Sequence, residues 1–204
     1  MISENILKIQ NRFQCIISND LIANVYTYLE YHSKDYKSDH ENYVSKETEQ
    51  KLLEEFVQKN NLIYENIPFA TYLDEGAEQK VFYFEDDRKV IKLNDAIFYV
   101  NWSQFFESLI IHNILFKETN YTLIGFVKIN DVLYAVVQQD FIKSDQNTDI
   151  EEVRKYMIDK GFSLKRKNDY THSELGIIIE DLHEENVLKL NNTLFFIDTV
   201  IYLK

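Results

Sequence analysis

Apolar residues recur at three- and four-residue intervals through the first sixty positions. Ile6, Ile9, Phe13, Ile16 and Ile17 share one face, and Leu21, Ile22, Val25, Tyr26 and Leu29 another, which predicts two helices with a break at Ser18–Asp20. After the polar stretch "YHSKDYKSDHENY", Leu52, Leu53, Phe56 and Val57 predict a third helix from about Ser45. Near residue 66 the pattern changes. "FATYLDEG", "QKVFYFEDD" and "RKVIKLND" are β-rich runs, separated by Gly76 and by Asp86-Asp87. In "YVNWSQFFESLIIHNILFKET" helical spacing returns, with Phe105, Phe106, Leu109, Ile110 and Ile114 in phase and Asn101 with Gln104 as a capping box. "YTLIGFVKI" and "VLYAVVQQ" follow, joined by a hairpin-type Asn130-Asp131.

The last third opens on a well-marked helix. Asp149 and Glu152 cap it, Ile150, Val153, Met157 and Ile158 form its apolar face, and Gly161 ends it. Four β-like runs come after it, "FSLKRK", "LGIIIED", "NVLKL" and "TLFFIDTV", the last two joined through Asn191-Asn192. The expected architecture is α+β, with three strands, a helix and two further strands making a five-stranded antiparallel sheet with one helix. The expected division is a helical stretch over 1–66 and a second domain over 67–204. No repeat, low-complexity segment or Gly/Pro-rich linker interrupts the chain, which has four glycines and one proline, Pro68.

Composition narrows the function classes. The 204 residues are 45% hydrophobic with 14 Tyr and 14 Phe, enough for a substantial core. A net charge of −12 disfavours nucleic acid as the main ligand, because binding phosphate chains needs clustered Lys and Arg, and "SLKRKND" is the only dense basic run. The apolar runs are too short to span a bilayer, and "MISENILKIQNRFQ" does not read as a secretory signal. The single cysteine, Cys15, cannot form an internal disulfide. These features point to a cytoplasmic protein. His32 and His40 sit in or beside a polar stretch without a Cys partner or tight ligand pair, so solvated loop histidines explain them better than zinc.

Four features could carry chemistry: the loop "DEGAEQKVF", Lys92 within "VIKL", Glu107 on the "FFESLIIHN" helix, and Asp181, Asn186 and Asp198 in "EDLHEENVLKLNNTLFFIDTV". Singly, each has an ordinary explanation: a turn glycine, a strand lysine facing water, a glutamate escaping at a helix edge, a chance Asp-to-Asn spacing. Asp198 is the hardest to dismiss. A carboxylate that follows Phe195, Phe196 and Ile197 in a buried-looking run needs a cation or donors beside it.

The order of these features resembles the protein kinase-like fold. That family has a five-stranded sheet with a helix between its third and fourth strands, a phosphate-covering loop, a strand-three lysine and a glutamate on the helix. The resemblance places Gly76, Ala77 and Glu78 in the loop, Lys92 on the phosphates and Glu107 as its partner. "DLHEENVL" is similar to a catalytic loop, with Asp181 orienting or deprotonating the acceptor hydroxyl. Asn186 and Asp198 (in "FFID") would then hold Mg²⁺ on ATP. Backbone groups around Gln138, Gln139 and Asp140 in "VVQQDFI" would read adenine. Asp-Leu-His also resembles aminoglycoside and choline kinases. Overall the chain most resembles the compact kinase-like domains of polyvalent proteins of phages and conjugative elements, with their "GxE…V" loop, "DLHxxNV" and late "FIDT".

Departures accompany these matches. Ile179-Glu180 stands where His-Arg is usual, Thr199-Val200 where Phe-Gly is common, and the loop keeps only Gly76. No segment resembling the helical lower lobe follows Asp198, which implies a reduced C-terminal lobe. The resemblance implies a Mg²⁺- and ATP-dependent phosphotransferase acting on a hydroxyl acceptor, a protein or a small molecule. A catalytically weak or inactive nucleotide-binding scaffold is the alternative, and a globular α+β protein with coincidental motifs remains a third.

Overall fold

The computed structural model describes residues 3–14, 20–36, 44–65, 71–75, 79–84 and 88–204. Gly76, Ala77 and Glu78, Cys15, His40, Asp86-Asp87 and the expected boundary at 66/67 lie outside the described residues.

The early helices form where the apolar spacing predicts them: α1 (Glu4–Phe13), α2 (Leu21–His32) and α3 (Lys46–Lys59). Each opens on a short polar side chain that accepts from the first turn. Ser3 accepts from Ile6 N–H, Asp20 from Ala23 N–H and Ser45 from Thr48 N–H. Such caps satisfy backbone donors that have no intrahelical partner.

Six strands make the largest sheet, in the order β1-β5-β6-β4-β3-β2. These are β1 (Ile63–Tyr64), β2 (Thr71–Glu75), β3 (Gln79–Phe84), β4 (Lys89–Asn94), β5 (Thr122–Ile129) and β6 (Val132–Asp140). The five predicted runs pair antiparallel, and β5 and β6 turn through Asn130 and Asp131, both with positive φ. A sixth strand, β1, joins parallel to β5, which the sequence did not announce. Gly125 makes room for it: a Cβ there would lie 2.5 Å from the Tyr64 ring and 2.8 Å from the Leu62 carbonyl oxygen. Ile91 and Leu93 of β4 join Val127 and Val136 in one buried cluster on the sheet.

Between β4 and β5 runs α4 (Trp102–Leu115). The sequence predicts one apolar face, yet buried residues surround this helix, from Trp102, Phe105 and Phe106 to Leu109, Ile111 and Ile114. Its polar residues Ser103, Ser108 and His112 are buried with them. Buried polar groups are stable only when hydrogen-bonded, so each of these three marks a specific contact.

α5 (Ile150–Asp159) starts at Asp149, whose carboxylate accepts from Glu151 N–H, and ends before Gly161 at φ +91°. Beyond it come a four-stranded sheet, ordered β12-β9-β8-β7, and a β10–β11 hairpin. The strands are β7 (Ser163–Leu164), β8 (Tyr170–His172), β9 (Ile177–Glu180), β10 (Val187–Leu190), β11 (Thr193–Phe196) and β12 (Val200–Leu203). The run "TLFFIDTV" is therefore not one strand. It breaks at Ile197–Thr199, leaving the hairpin for the other sheet, because β12 pairs with β9. "NDYTH" supplies the unexpected β8.

The chain forms two compact units. One comprises Met1–Ile2, Ile17–Ile110 and Tyr121–Phe141, the other Ser3–Ile16, Ile111–Asn120 and Ile142–Lys204. Of the early helices, α2 and α3 belong to the first and α1 to the second. The fold is mixed α and β, with five α-helices among the described residues. No helix of the described residues is long and apolar enough to cross a membrane.

Candidate functional site

In the first unit, Lys92 lies on β4 between Val81 of β3 and Val137 of β6 and is only 4% exposed. A strand lysine ordinarily reaches water; this one does not, and its Nζ donates to the Tyr121 hydroxyl at 3.3 Å. The ammonium also stands 5.2 Å from the Tyr121 ring centroid, within reach of its π face. Keeping a cation so deep requires an environment built for it.

Glu107 projects from α4 and accepts a hydrogen bond from the Tyr26 hydroxyl of α2 at 3.3 Å. Burial pushes its carboxyl up to about 7, with the Glu30 charge adding to the rise and the Tyr26 bond opposing it. Among the described residues no ion pair joins Glu107 to Lys92. The helix that carries Glu107 is held at its N-terminus by Glu49 of α3, a side chain 1% exposed. Its Oε2 accepts from Ser103 N–H at 2.8 Å, and its Oε1 accepts from the Ser103 hydroxyl at 2.8 Å and the Ser33 hydroxyl at 3.4 Å. Asn101 Oδ1 accepts from Gln104 N–H, as the predicted capping box requires, while Gln104 Oε1 accepts from Val100 N–H, one residue before the expected Asn101 N–H.

Gln138, Gln139 and Asp140 close β6. The Gln139 side chain is buried, Asp140 pairs with Lys89, and Phe141 N–H donates to the Arg88 carbonyl. Just beyond, at Phe141–Ile142, the chain leaves the first unit for the second.

In the second unit, Asp181 ends β9 with φ at +67°, a left-handed conformation that a non-glycine residue rarely holds. A tight loop follows: His183 N–H donates to Asp181 O, and the Asn186 and Val187 N–H groups both donate to His183 O. Asn186 Nδ2 reaches back to Asp181, donating to its carbonyl at 3.0 Å and to Oδ2 at 3.3 Å. His183 accepts at Nδ1 from Glu185 N–H, which leaves Nε2 as the ring's donor, 3.5 Å from Asp181 Oδ1. Asp181 thus has two side-chain donors aimed at it, while its carboxylate remains 62% exposed.

The hairpin register joins this loop to Asp198. Val187 pairs with Phe196, and Ile197 N–H donates to the Asn186 carbonyl at 2.9 Å. Asn186 and Asp198 therefore emerge at the same open end of the β10–β11 hairpin, followed by Val200, which pairs with Glu180 beside Asp181. With Nδ2 committed to Asp181, the Asn186 amide has Oδ1 for a cation. An amide oxygen and a carboxylate are hard donors suited to Mg²⁺, which takes its other ligands from phosphate and water. No cluster of three His, Cys, Asp or Glu side chains is placed to hold a metal among the described residues.

Sequence reasoning missed Tyr26, Glu49, Ser103, His112 and Thr199. His112 was legible only as a polar residue at the spacing of a buried face, and Glu49 as one acid among many. A search of curated proteins returns no match. A sequence model of one family, described as serine/threonine/tyrosine kinase found in polyvalent proteins, matches residues 46–204, starting within α3. That match covers more than three quarters of the chain and takes in every site residue above except Tyr26, Glu30 and Ser33, so the chain belongs to the serine/threonine/tyrosine kinase family found in polyvalent proteins.

Proposed function

We propose that the protein is a Mg²⁺- and ATP-dependent phosphotransferase that moves the γ-phosphoryl group to a hydroxyl acceptor on a protein or small molecule. The observation that carries this reading is the bonded loop from Asp181 to Asn186 and its junction, through Ile197 N–H, with Asp198. Phosphoryl transfer asks a protein mainly for positioning and charge neutralisation. Asp181, held by Asn186 and faced by His183, is exposed enough to meet an acceptor hydroxyl, orient it and take its proton. Asn186 Oδ1 and the Asp198 carboxylate would hold the cation, which neutralises phosphate charge when bound. Lys92 supplies a buried positive charge for the phosphates. The loop at Gly76, Ala77 and Glu78 and the backbone at Gln138–Asp140 take the triphosphate and the base. Within the N-terminal stretch 1–66, Tyr26 and Glu49 brace α4, ahead of a catalytic domain over 67–204.

The Tyr26 bond to Glu107 favours one second reading, a module that binds nucleotide but turns it over weakly, since Glu107 is occupied away from Lys92. The two readings separate experimentally. For an active enzyme, millimolar ATP with Mg²⁺ raises the melting temperature. Asp181→Ala then keeps that shift and loses about 10²–10⁴-fold in turnover, while Asp198→Ala loses the Mg²⁺-dependent part of the shift. Binding without turnover in the unaltered protein selects the scaffold reading. An unchanged melting temperature with ATP and Mg²⁺ rejects both.

A further inference from the structure

A buried polar contact in the second unit lies one residue beyond Asp198. His112 is 1% exposed, and its two ring nitrogens face different partners: Nε2 is 2.9 Å from the Thr119 carbonyl and Nδ1 2.8 Å from the Thr199 hydroxyl. A carbonyl oxygen can only accept, so Nε2 carries the proton and Nδ1 presents its lone pair. Thr199 must then donate its hydroxyl hydrogen to His112. Thr119 Oγ1 is consistent with this assignment, donating to the Phe116 carbonyl at 3.2 Å while lying 3.3 Å from the same Nε2. Around the contact, Phe116, the residue after α4, stacks on Phe196 of β11 at 4.2 Å, so the strand leading to Asp198 is also held by packing.

The segment Ile197–Thr199 passes from one sheet to the other. Ile197 is tied to the Asn186 backbone and Thr199 to His112, and Val200 enters the β12–β9 ladder. Asp198 lies between two anchors, one of which is a single directional bond from a hydroxyl. We infer that His112 and Thr199 are positioning residues for Asp198: the Thr199–His112 bond sets the backbone from which the Asp198 carboxylate meets a nucleotide-bound divalent cation. This inference rests on the cation-binding role given to Asp198 above. Neither residue touches the cation or the substrate. The bond acts as a second layer around a metal ligand does, restricting its orientations before the cation arrives, and losing such support typically weakens metal affinity 10–100-fold.

The test uses the full chain and the Mg²⁺ concentration that gives half of the thermal shift produced by saturating ADP. Thr199→Val keeps the side chain's shape and removes its hydroxyl; Thr199→Ser keeps the hydroxyl. The valine variant is expected to need about tenfold more Mg²⁺, with the serine variant within about twofold of the unaltered protein. A valine variant with unchanged Mg²⁺ dependence overturns this inference alone, even where its melting temperature falls, since a purely structural role predicts that result. Equal shifts in the valine and serine variants also overturn it. An unaltered protein with no Mg²⁺-dependent response to ADP overturns the functional reading and this inference with it. Nitrogen NMR of the unaltered protein gives an independent check that needs no variant: the Nε2–H tautomer of His112 is required, and the Nδ1–H tautomer refutes the bond.

Discussion

Glu107 shows how one side chain can work against the fold at neutral pH. Its carboxyl is raised from 4.5 to about 7, chiefly by burial. Between those values the folded state holds a proton that the unfolded state has released, so stability falls as pH rises from 4.5 through 7 and levels off above. The shift corresponds to about 3 kcal/mol at the upper end. Glu107→Gln keeps an oxygen for the Tyr26 hydroxyl and removes the titration. It should stabilise the protein by roughly 1–3 kcal/mol at pH 8 and leave it nearly unchanged at pH 5, read from urea midpoints at each pH. Equal effects at both pH values would refute the assignment. The same substitution bears on function, because a Glu107 protonated near neutrality is a poor ion-pair partner for Lys92.

At the scale of elements, α4 is the helix on which most of the candidate chemistry depends. It is apolar nearly all round, so propensity and burial alone would let it rotate or slide. Three polar contacts remove that freedom: Glu49 on its first turn, Tyr26 on Glu107 and Thr199 on His112. Glu49→Ala strips the partner from a backbone N–H and two buried hydroxyls, and about 3 kcal/mol of destabilisation is expected. Glu49→Gln can keep an acceptor for Ser103 N–H and should cost about 1 kcal/mol. Hydrogen exchange should locate the difference in the first turn of α4. An alanine variant within 0.5 kcal/mol (roughly the effect of an ordinary surface substitution) would show that the carboxylate holds nothing in place.

For the whole molecule, the pH profile of stability includes titrations that oppose one another. His172 is 4% exposed, flanked by Phe13 and Phe162, and neither ring nitrogen has a hydrogen-bond partner among the described residues. Burial holds its pKa below the usual 6.5, with Glu174 opposing and Arg12 reinforcing that shift. Here the unfolded state binds the extra proton, so the stability is present above pH 6.5 and is lost as pH falls below it. Glu107 loses stability in the other direction, from 4.5 upward. His172→Phe should lose less stability between pH 7 and pH 5 than the unaltered protein does, whatever its absolute stability. An acid limb of unchanged slope would remove His172 from the account.

The sequence by itself determined the five α-helices, the antiparallel runs and both Asn-containing hairpin turns, and it supplied the candidates from Lys92 to Asp198 on which the proposed chemistry rests. All of these are local signals: helical spacing, caps, turn dipeptides and a short loop whose Asp-to-Asn interval is set along the chain. Only the tertiary structure decided which side chains hold the chemical ones. Glu49 and Ser103 are 54 residues apart, Tyr26 and Glu107 are 81, and His112 and Thr199 are 87. No periodicity connects positions that distant. The break of "TLFFIDTV" at Asp198 was hidden for the same reason: a run of apolar residues shows burial but not its ladder, and only β9, by claiming Val200–Leu203, moved Asp198 from a strand into the junction between two sheets.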